Sequence, residues 1–347
     1  MRVAIGIGGV GVAREDWEQS VAFVREADKL GVFSCWSAEA WGTDAVTPLA
    51  YLAAVTDRIK LGTGIIQISA RAPSMTAMTA LTMASVSGNR FLLGLGASGP
   101  QVVEGLHGVR FAHPLGRMRE TIEILRLAFR GDPIAYQGRH YELPLPDGEG
   151  KALRLSVAAN PAIPIYLATL SARTLELTGE LADGWLGTSF IPEHADVFFD
   201  DIRTGAARAG RTLADIDLQA GGTVAFSDDV DELVASRRQG LAFSLGAMGS
   251  AEHNFYNAAY QRAGWTDVAT EVQRLWLDGK RQEAVARVPD EMVLQTNLLG
   301  TEDMVRARIR AYQEAGITTL RLAPGGRTLA ERVDTLGRAI DLVNEVA

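Results

Sequence analysis

Short apolar runs alternate with longer stretches of helical period through the first third of the chain. "RVAIGIG" precedes Trp17, Val21, Val24 and Leu30 on one helical face, with Gly31 placed to end that helix. "FSCWSAE" follows, then a helix with Thr47 as cap and Pro48 as first residue, then "IKLGTGII", a helix from about Ser74, and "FLLGLGA". A helix is predicted from Gly116 to about Phe129.

The segment 131–162 has no long helical period and is rich in Gly, Pro and Asp, so it reads as an insertion with room for a short hairpin. The alternation resumes with "IPIYLAT", a helix from Ser171, "GWLGTS", a helix opened by Pro192, and "IDLQAGGTVAFS" as a seventh strand. "TTLRLAP" and a helix from Thr328 make the eighth unit. Between the last two strands lies a second, helix-rich insertion, 247–290. Eight such units give a closed barrel or an open doubly wound sheet, and the near-continuous apolar strands fit a sheet covered on both faces. The expectation carried forward is a single-domain (β/α)8 TIM barrel over 1–347, with insertions after strands 4 and 7.

Composition narrows the functional classes. A net charge of −8 without a basic stretch argues against a nucleic-acid partner or an anionic membrane surface. The one cysteine, Cys35, rules out an internal disulfide and fits a buried residue in a cytoplasmic protein. No apolar run is long enough to span a bilayer and the start does not read as a signal peptide.

In a barrel of this kind the active site forms at the C-terminal ends of the strands. "IKLGTGIIQISARAP", residues 59–73, begins as a buried strand and interrupts itself with Gly62 and Gly64. Each glycine weakens a strand by roughly 0.5–1 kcal/mol, so something must approach this backbone closely. The first four strand ends supply Gly6 and Gly8, Glu39, Gly64 to Gln67, and Gly96 to Gly99, an inventory of backbone and small side chains that suits a flat ligand. "GLGASG" is either a tight strand-to-loop turn or a phosphate cradle, and it lacks the helix that the dinucleotide fingerprint requires. The start of the helix near Ser171 presents free N–H groups to an anion.

His107, in the loop after the fourth strand, is a proton-donor candidate or a histidine packed between loop and helix, and Glu104 and Arg117 there are able to pair. No metal-ligand spacing and no nucleophile elbow occurs. In the helix from Ser74, Met75, Met78, Thr82 and Val86 form one stripe and Ala77, Leu81 and Ala84 another; the second apolar side packs either on a second subunit or under the helical insertion.

"CWSAEAWGTDAVTPLAYLAAVTDRIKLGTGIIQ", "MTALTMASVSGNRFLLGLGASGPQVVEGLHGVRF" and "IPIYLATLSARTLELTGELADGWL" resemble the luciferase-like superfamily, and within it the coenzyme F420-dependent oxidoreductases, which include methylenetetrahydromethanopterin reductase. The resemblance implies a (β/α)8 barrel, commonly dimeric, with the deazaflavin ring at the C-terminal strand ends. It places a bulge with a non-prolyl cis peptide at Gly64 and Ile65, supporting one face of the ring. It also implies an acidic residue near the ring at Glu39, a coenzyme border at Ser98 and Gly99, and a phosphate-binding loop at Thr169, Leu170, Ser171 and Ala172. Ala40 stands where some relatives have a catalytic histidine, and Ser171-Ala172 where many have Gly-Pro.

The expected function is hydride transfer between coenzyme F420 and a small organic substrate, with Glu39 or His107 handling a proton. The rivals are an FMN-dependent monooxygenase and a flavin-binding protein without turnover. Both insertions are expected to wall the substrate pocket, with Trp36, Trp41, Phe255, Tyr256 and Trp265 as aromatic candidates.

Overall fold

A computed structural model of the chain describes residues 1–7, 13–249 and 254–346; Gly8 and the stretch 250–253 of the second insertion lie outside the described residues. In chain order the strands are β1 (Arg2–Gly6), β2 (Ser34–Ser37), β3 (Lys60–Thr63), β4 (Ile66–Gln67), β5 (Phe91–Gly96), β6 (Tyr136–Gln137), β7 (Glu142–Leu143), β8 (Ile165–Leu167), β9 (Gly184–Leu186), β10 (Asp217–Ala220), β11 (Thr223–Phe226), β12 (Leu298–Gly300) and β13 (Thr319–Pro324). The helices are α1 (Arg14–Lys29), α2 (Val46–Ala53), α3 (Pro73–Val86), α4 (Pro100–Val103), α5 (Pro114–Phe129), α6 (Ala172–Leu181), α7 (Asp196–Arg208), α8 (Val230–Gly246), α9 (Phe255–Tyr260), α10 (Thr266–Leu277), α11 (Arg281–Arg287), α12 (Asp290–Thr296), α13 (Glu302–Glu314) and α14 (Leu329–Val346).

Eight parallel strands close the barrel in the order β1-β2-β3-β5-β8-β9-β10-β13, and β13 returns to β1 with Val3 opposite Leu320. Side chains that alternate inward fill the interior. Ala4, Trp36, Leu92, Tyr166 and Leu186 form a cluster there, while the larger core lies between the sheet and the surrounding helices. Cys35, the neighbour of Trp36, points the other way into that outer core; burial pushes its thiol up to about 12, so it is not a nucleophile at neutral pH.

Several local expectations are corrected. Asp44, not Thr47, caps α2, its Oδ1 accepting the N–H groups of Val46 and Thr47 at 2.9 and 2.8 Å. The seventh strand is two strands: β10 lies between β9 and β13, and after a bend at Gly221-Gly222 β11 continues along β13 and pairs on its other side with β12, which periodicity did not reveal. The chain needs glycine at that bend, because a Cβ on Gly221 would sit 2.0 Å from the Arg321 carbonyl oxygen. The helix expected at Pro192 begins as a 3₁₀ turn and becomes α7 only at Asp196.

The segment 131–162 does carry a short hairpin, β6 with β7, but it packs along α5 on the outside of the barrel. Glu120 of α5 accepts the N–H groups of Arg139, His140 and Tyr141, and Asn160 donates its N–H to the Phe129 carbonyl. The helical insertion builds a second apolar core from α8 and α10–α12, including Leu241, Leu245, Val272, Leu275, Met292 and Val293.

Candidate functional site at the barrel mouth

The third strand is interrupted at the mouth. β3 ends at Thr63 and the line resumes as β4 at Ile66, and the Gly64–Ile65 peptide between them is cis. The Gly64 N–H donates to the Ser37 carbonyl at 2.7 Å, and the Ile65 carbonyl accepts the Glu39 N–H at 3.3 Å. The missing side chains have a definite neighbour: a Cβ on Gly62 would lie 2.4 Å from Trp36 Cε3 and one on Gly64 3.3 Å from Trp36 Cβ. The close approach is therefore made by the indole, which lies across the strand. Opposite, Gly96 leaves space for the Ile65 side chain, since a Cβ there would be 2.8 Å from Ile65 Cδ1. Ile65 thus packs onto the interior cluster, and the bulge is held by shape from both sides.

Glu39 ties this bulge to its surroundings. Its Oε1 receives Arg71 Nη1 at 2.6 Å and the Gln67 N–H at 3.0 Å, and its Oε2 receives the Ala45 N–H at 3.3 Å. The carboxylate side chain is only 7% exposed. Gln67 Nε2 adds a bond to the Ala40 carbonyl at 3.1 Å. One acidic group thereby joins the end of β2, the end of β4 and the approach to α2, which is the geometry of a brace.

Ser98 turns the chain after β5 with a φ of 59°, and Gly99 precedes the single turn of α4. His107 is exposed on the loop that follows, donating its N–H to the Val102 carbonyl; Glu104 orders that loop by accepting the Phe111 N–H at 2.9 Å, while Arg117 lies over the Tyr141 ring. After β8, Thr169 is buried: its Oγ1 meets Thr178 Oγ1 at 2.7 Å and its carbonyl accepts Trp185 Nε1 at 3.0 Å. Ser171 begins α6, with its N–H directed to Thr174 Oγ1 at 3.2 Å.

The structure adds residues that the sequence reading missed. Arg262, in the kinked segment Gln261–Trp265 between α9 and α10, donates to the Leu170 carbonyl and stands 4.0 Å from Asp201. Arg321 of β13 donates Nη2 to the Gly187 carbonyl at 2.7 Å. Tyr256 of α9 is close enough for its phenol and the Arg321 guanidinium to act on each other's ionisation, burial raising the phenol's pKa and lowering the guanidinium's. Tyr260 is pushed up to about 12 by burial, against a hydrogen bond with Ser189. The segment from α9 to Trp265 therefore reaches the ends of β8, β9 and β13. Arg321 was visible in the sequence as a cation in an apolar strand, "TTLRLAP". Among the aromatic candidates Trp36 is interior, Trp265 joins the second core, Trp41 and Phe255 are exposed, and Tyr256 is half-buried.

These features fit a flat, electron-rich ring with an anionic appendage. The strand ends offer backbone and small side chains, Arg262 stands at the start of α6, and Arg71 already neutralises Glu39. Among the described residues no group of His, Cys, Asp and Glu is placed to hold a metal ion, and no helix is long and apolar enough to cross a membrane.

The family model described as "Luciferase-like monooxygenase" matches residues 3–319. A Mycobacterium tuberculosis protein provisionally named as a coenzyme F420-dependent oxidoreductase is 39% identical over 91% of this chain and 93% of its own. A 5,10-methylenetetrahydromethanopterin reductase of Archaeoglobus fulgidus is 27% identical over 92% of this chain and 93% of its own. Among solved structures, the coenzyme F420-dependent tetrahydromethanopterin reductase of Methanopyrus kandleri superposes with a TM-score of 0.81 over 97% of both chains at 22% identity, a likeness of fold.

Proposed function

The chain belongs to the luciferase-like monooxygenase family, and within it we propose a coenzyme F420-dependent oxidoreductase that moves hydride between the deazaflavin and an organic carbonyl, imine or activated alkene. The observation that carries this reading is the likeness to the provisionally named F420-dependent oxidoreductase over nine-tenths of the chain, joined to a mouth built of backbone with Arg262 beside α6. When bound, the deazaflavin supplies a carbon hydride carrier where a flavin offers nitrogen for oxygen chemistry. The chain's own residues bind and orient. Gly64 and Ile65 support one face of the ring, and Ser98 and Gly99 border it. The Thr169–Ala172 loop takes the phosphate group through backbone N–H groups, with Arg262 beside it.

Glu39 is the brace of the ring support, being occupied by Arg71 and two backbone N–H groups. His107 is then the proton carrier of this proposal: His107→Ala should slow turnover and leave coenzyme affinity intact, and unchanged turnover would remove it from the reaction.

A titration of the cofactor-free protein with coenzyme F420 and, separately, FMN tests the whole reading. Binding of the deazaflavin in the micromolar range or tighter, with FMN weaker, is expected. Preference for FMN would instead favour an oxygen-dependent monooxygenase, the reading suggested by the family's description.

The proposal includes a cytoplasmic homodimer. Met75, Met78 and Val86 stand exposed along α3, so the helical insertion does not cover this stripe. Met78→Lys should shift the protein toward monomer in sedimentation velocity, and a wild-type monomer across working concentrations would end this part of the proposal.

A further inference from the structure

Arg321 is an unusual residue to find inside a barrel. Its partner across the β13–β1 ladder is Ala4, a member of the interior cluster, and residues paired in register on parallel strands face the same side. Thr319, two residues earlier on the same face, reaches down to Asp217 at 2.8 Å, and Arg321 reaches up to the Gly187 carbonyl at the end of β9. Among the described residues no carboxylate pairs with it. A guanidinium stays charged at any physiological pH, and one held in an apolar wall ordinarily has an acidic partner. Its one hydrogen-bonded partner is the Gly187 carbonyl, and through its ladder partner Ala4 it shares a face with the interior cluster of Trp36, Tyr166 and Leu186.

A planar fork of N–H donors with one nitrogen engaged leaves an edge that matches a planar pair of oxygens. Taking the hydride-transfer reading as its basis, we infer that Arg321 forms the subsite for a carboxylate on the substrate, so that the enzyme acts on a small organic acid whose apolar body rests on the barrel floor. In the hydride-transfer reading the coenzyme's phosphate has its own place by α6. The same planar anionic chemistry exists on the coenzyme's ring, and the test separates the two sources.

The probes are benzoate and benzamide, which share a shape and differ in charge, titrated calorimetrically into protein with and without coenzyme F420. Wild type should bind benzoate about tenfold or more tightly than benzamide. Arg321→Gln should erase that preference, and Arg321→Lys, which keeps the charge and loses the planar fork, should reduce it by about threefold, with coenzyme affinity unchanged in both. Absence of a benzoate preference in wild type overturns the inference, as does an Arg321→Gln protein that keeps the preference but loses coenzyme affinity, which would assign the guanidinium to the coenzyme. If Arg321→Gln does not fold, Arg321→Lys decides: an undiminished preference overturns the inference. Failure of the hydride-transfer reading itself appears separately, as wild type that does not bind the deazaflavin.

Discussion

Glu39→Ala is expected to cost coenzyme affinity at least about tenfold and to destabilise the protein by about 2–4 kcal/mol. The substitution strands the Arg71 guanidinium and leaves the Gln67 and Ala45 N–H groups without their acceptor. Arg71 is 23% exposed, so water recovers part of the loss and the cost falls short of that for a fully buried pair. The effect reaches the coenzyme because Gln67 and the Ile65 carbonyl flank the bulge that Glu39 secures. Glu39→Gln, which keeps an acceptor for these donors and removes the charge, should fall between alanine and wild type. F420 titration and thermal melting of the three proteins decide the matter. Wild-type affinity and stability in the alanine variant would sink the brace, while a glutamine variant with normal affinity and no turnover would make Glu39 the proton carrier instead.

Asp217→Ala should destabilise the fold by about 3–5 kcal/mol, a fall in melting temperature of about 5 °C for a chain of 347 residues. Asp217 sits at the start of β10, at the opposite end of the barrel from the mouth. It accepts from Thr318 Oγ1 at 2.6 Å, Thr319 Oγ1 at 2.8 Å, Gln219 Nε2 at 2.8 Å and Tyr166 Oη at 2.9 Å, and pairs with Arg2 at 2.7 Å. It thus joins β1, β8, β10 and β13 where the barrel closes.

Burial by itself would raise the pKa of this carboxyl, but the bonds from Thr318 and Gln219, the Arg2 charge and the bond from Thr319 outweigh it and hold the value below the ordinary carboxylate range. A folded-state value lowered in this way contributes stability that is fully present above the unfolded pKa of about 3.9 and is lost as pH falls through the folded value. The stability gap between wild type and Asp217→Asn should therefore be widest near neutrality and shrink in acid below about pH 4. A gap that does not change with pH would show that the ionised form is not what the network favours.

The candidate site divides along similar lines of cause. Gly62 and Gly64 stood out from a strand that breaks its own pattern, while Ile65 and Glu39 were marked by their place at strand ends and by the family resemblance; the bulge and the carboxylate do meet, joined through Gln67 and the Ile65 carbonyl. The identity of the group filling the space at Gly62 was not legible, because the Trp36 ring comes from another strand. Arg262 was obscured for the same reason, being carried to the Leu170 carbonyl by an insertion whose helical pattern says nothing about where it docks. That segment 131–162 would lie along α5 was likewise not legible, because Glu120 of that helix receives three of its N–H groups across a gap of about twenty residues.

By itself the sequence determined what local periodicity and backbone chemistry dictate: eight strand–helix units, glycines at the strand ends, the turn at Ser171, and a composition without metal clusters or a basic surface. The tertiary structure alone decided barrel closure through β13 and β1, the seating of β11 between β13 and β12, and the placing of Arg321 beside the Gly187 carbonyl. Strand order, inward facing and the meeting of charges depend on contacts between residues far apart along the chain, and those contacts exist only once the ring of strands is shut.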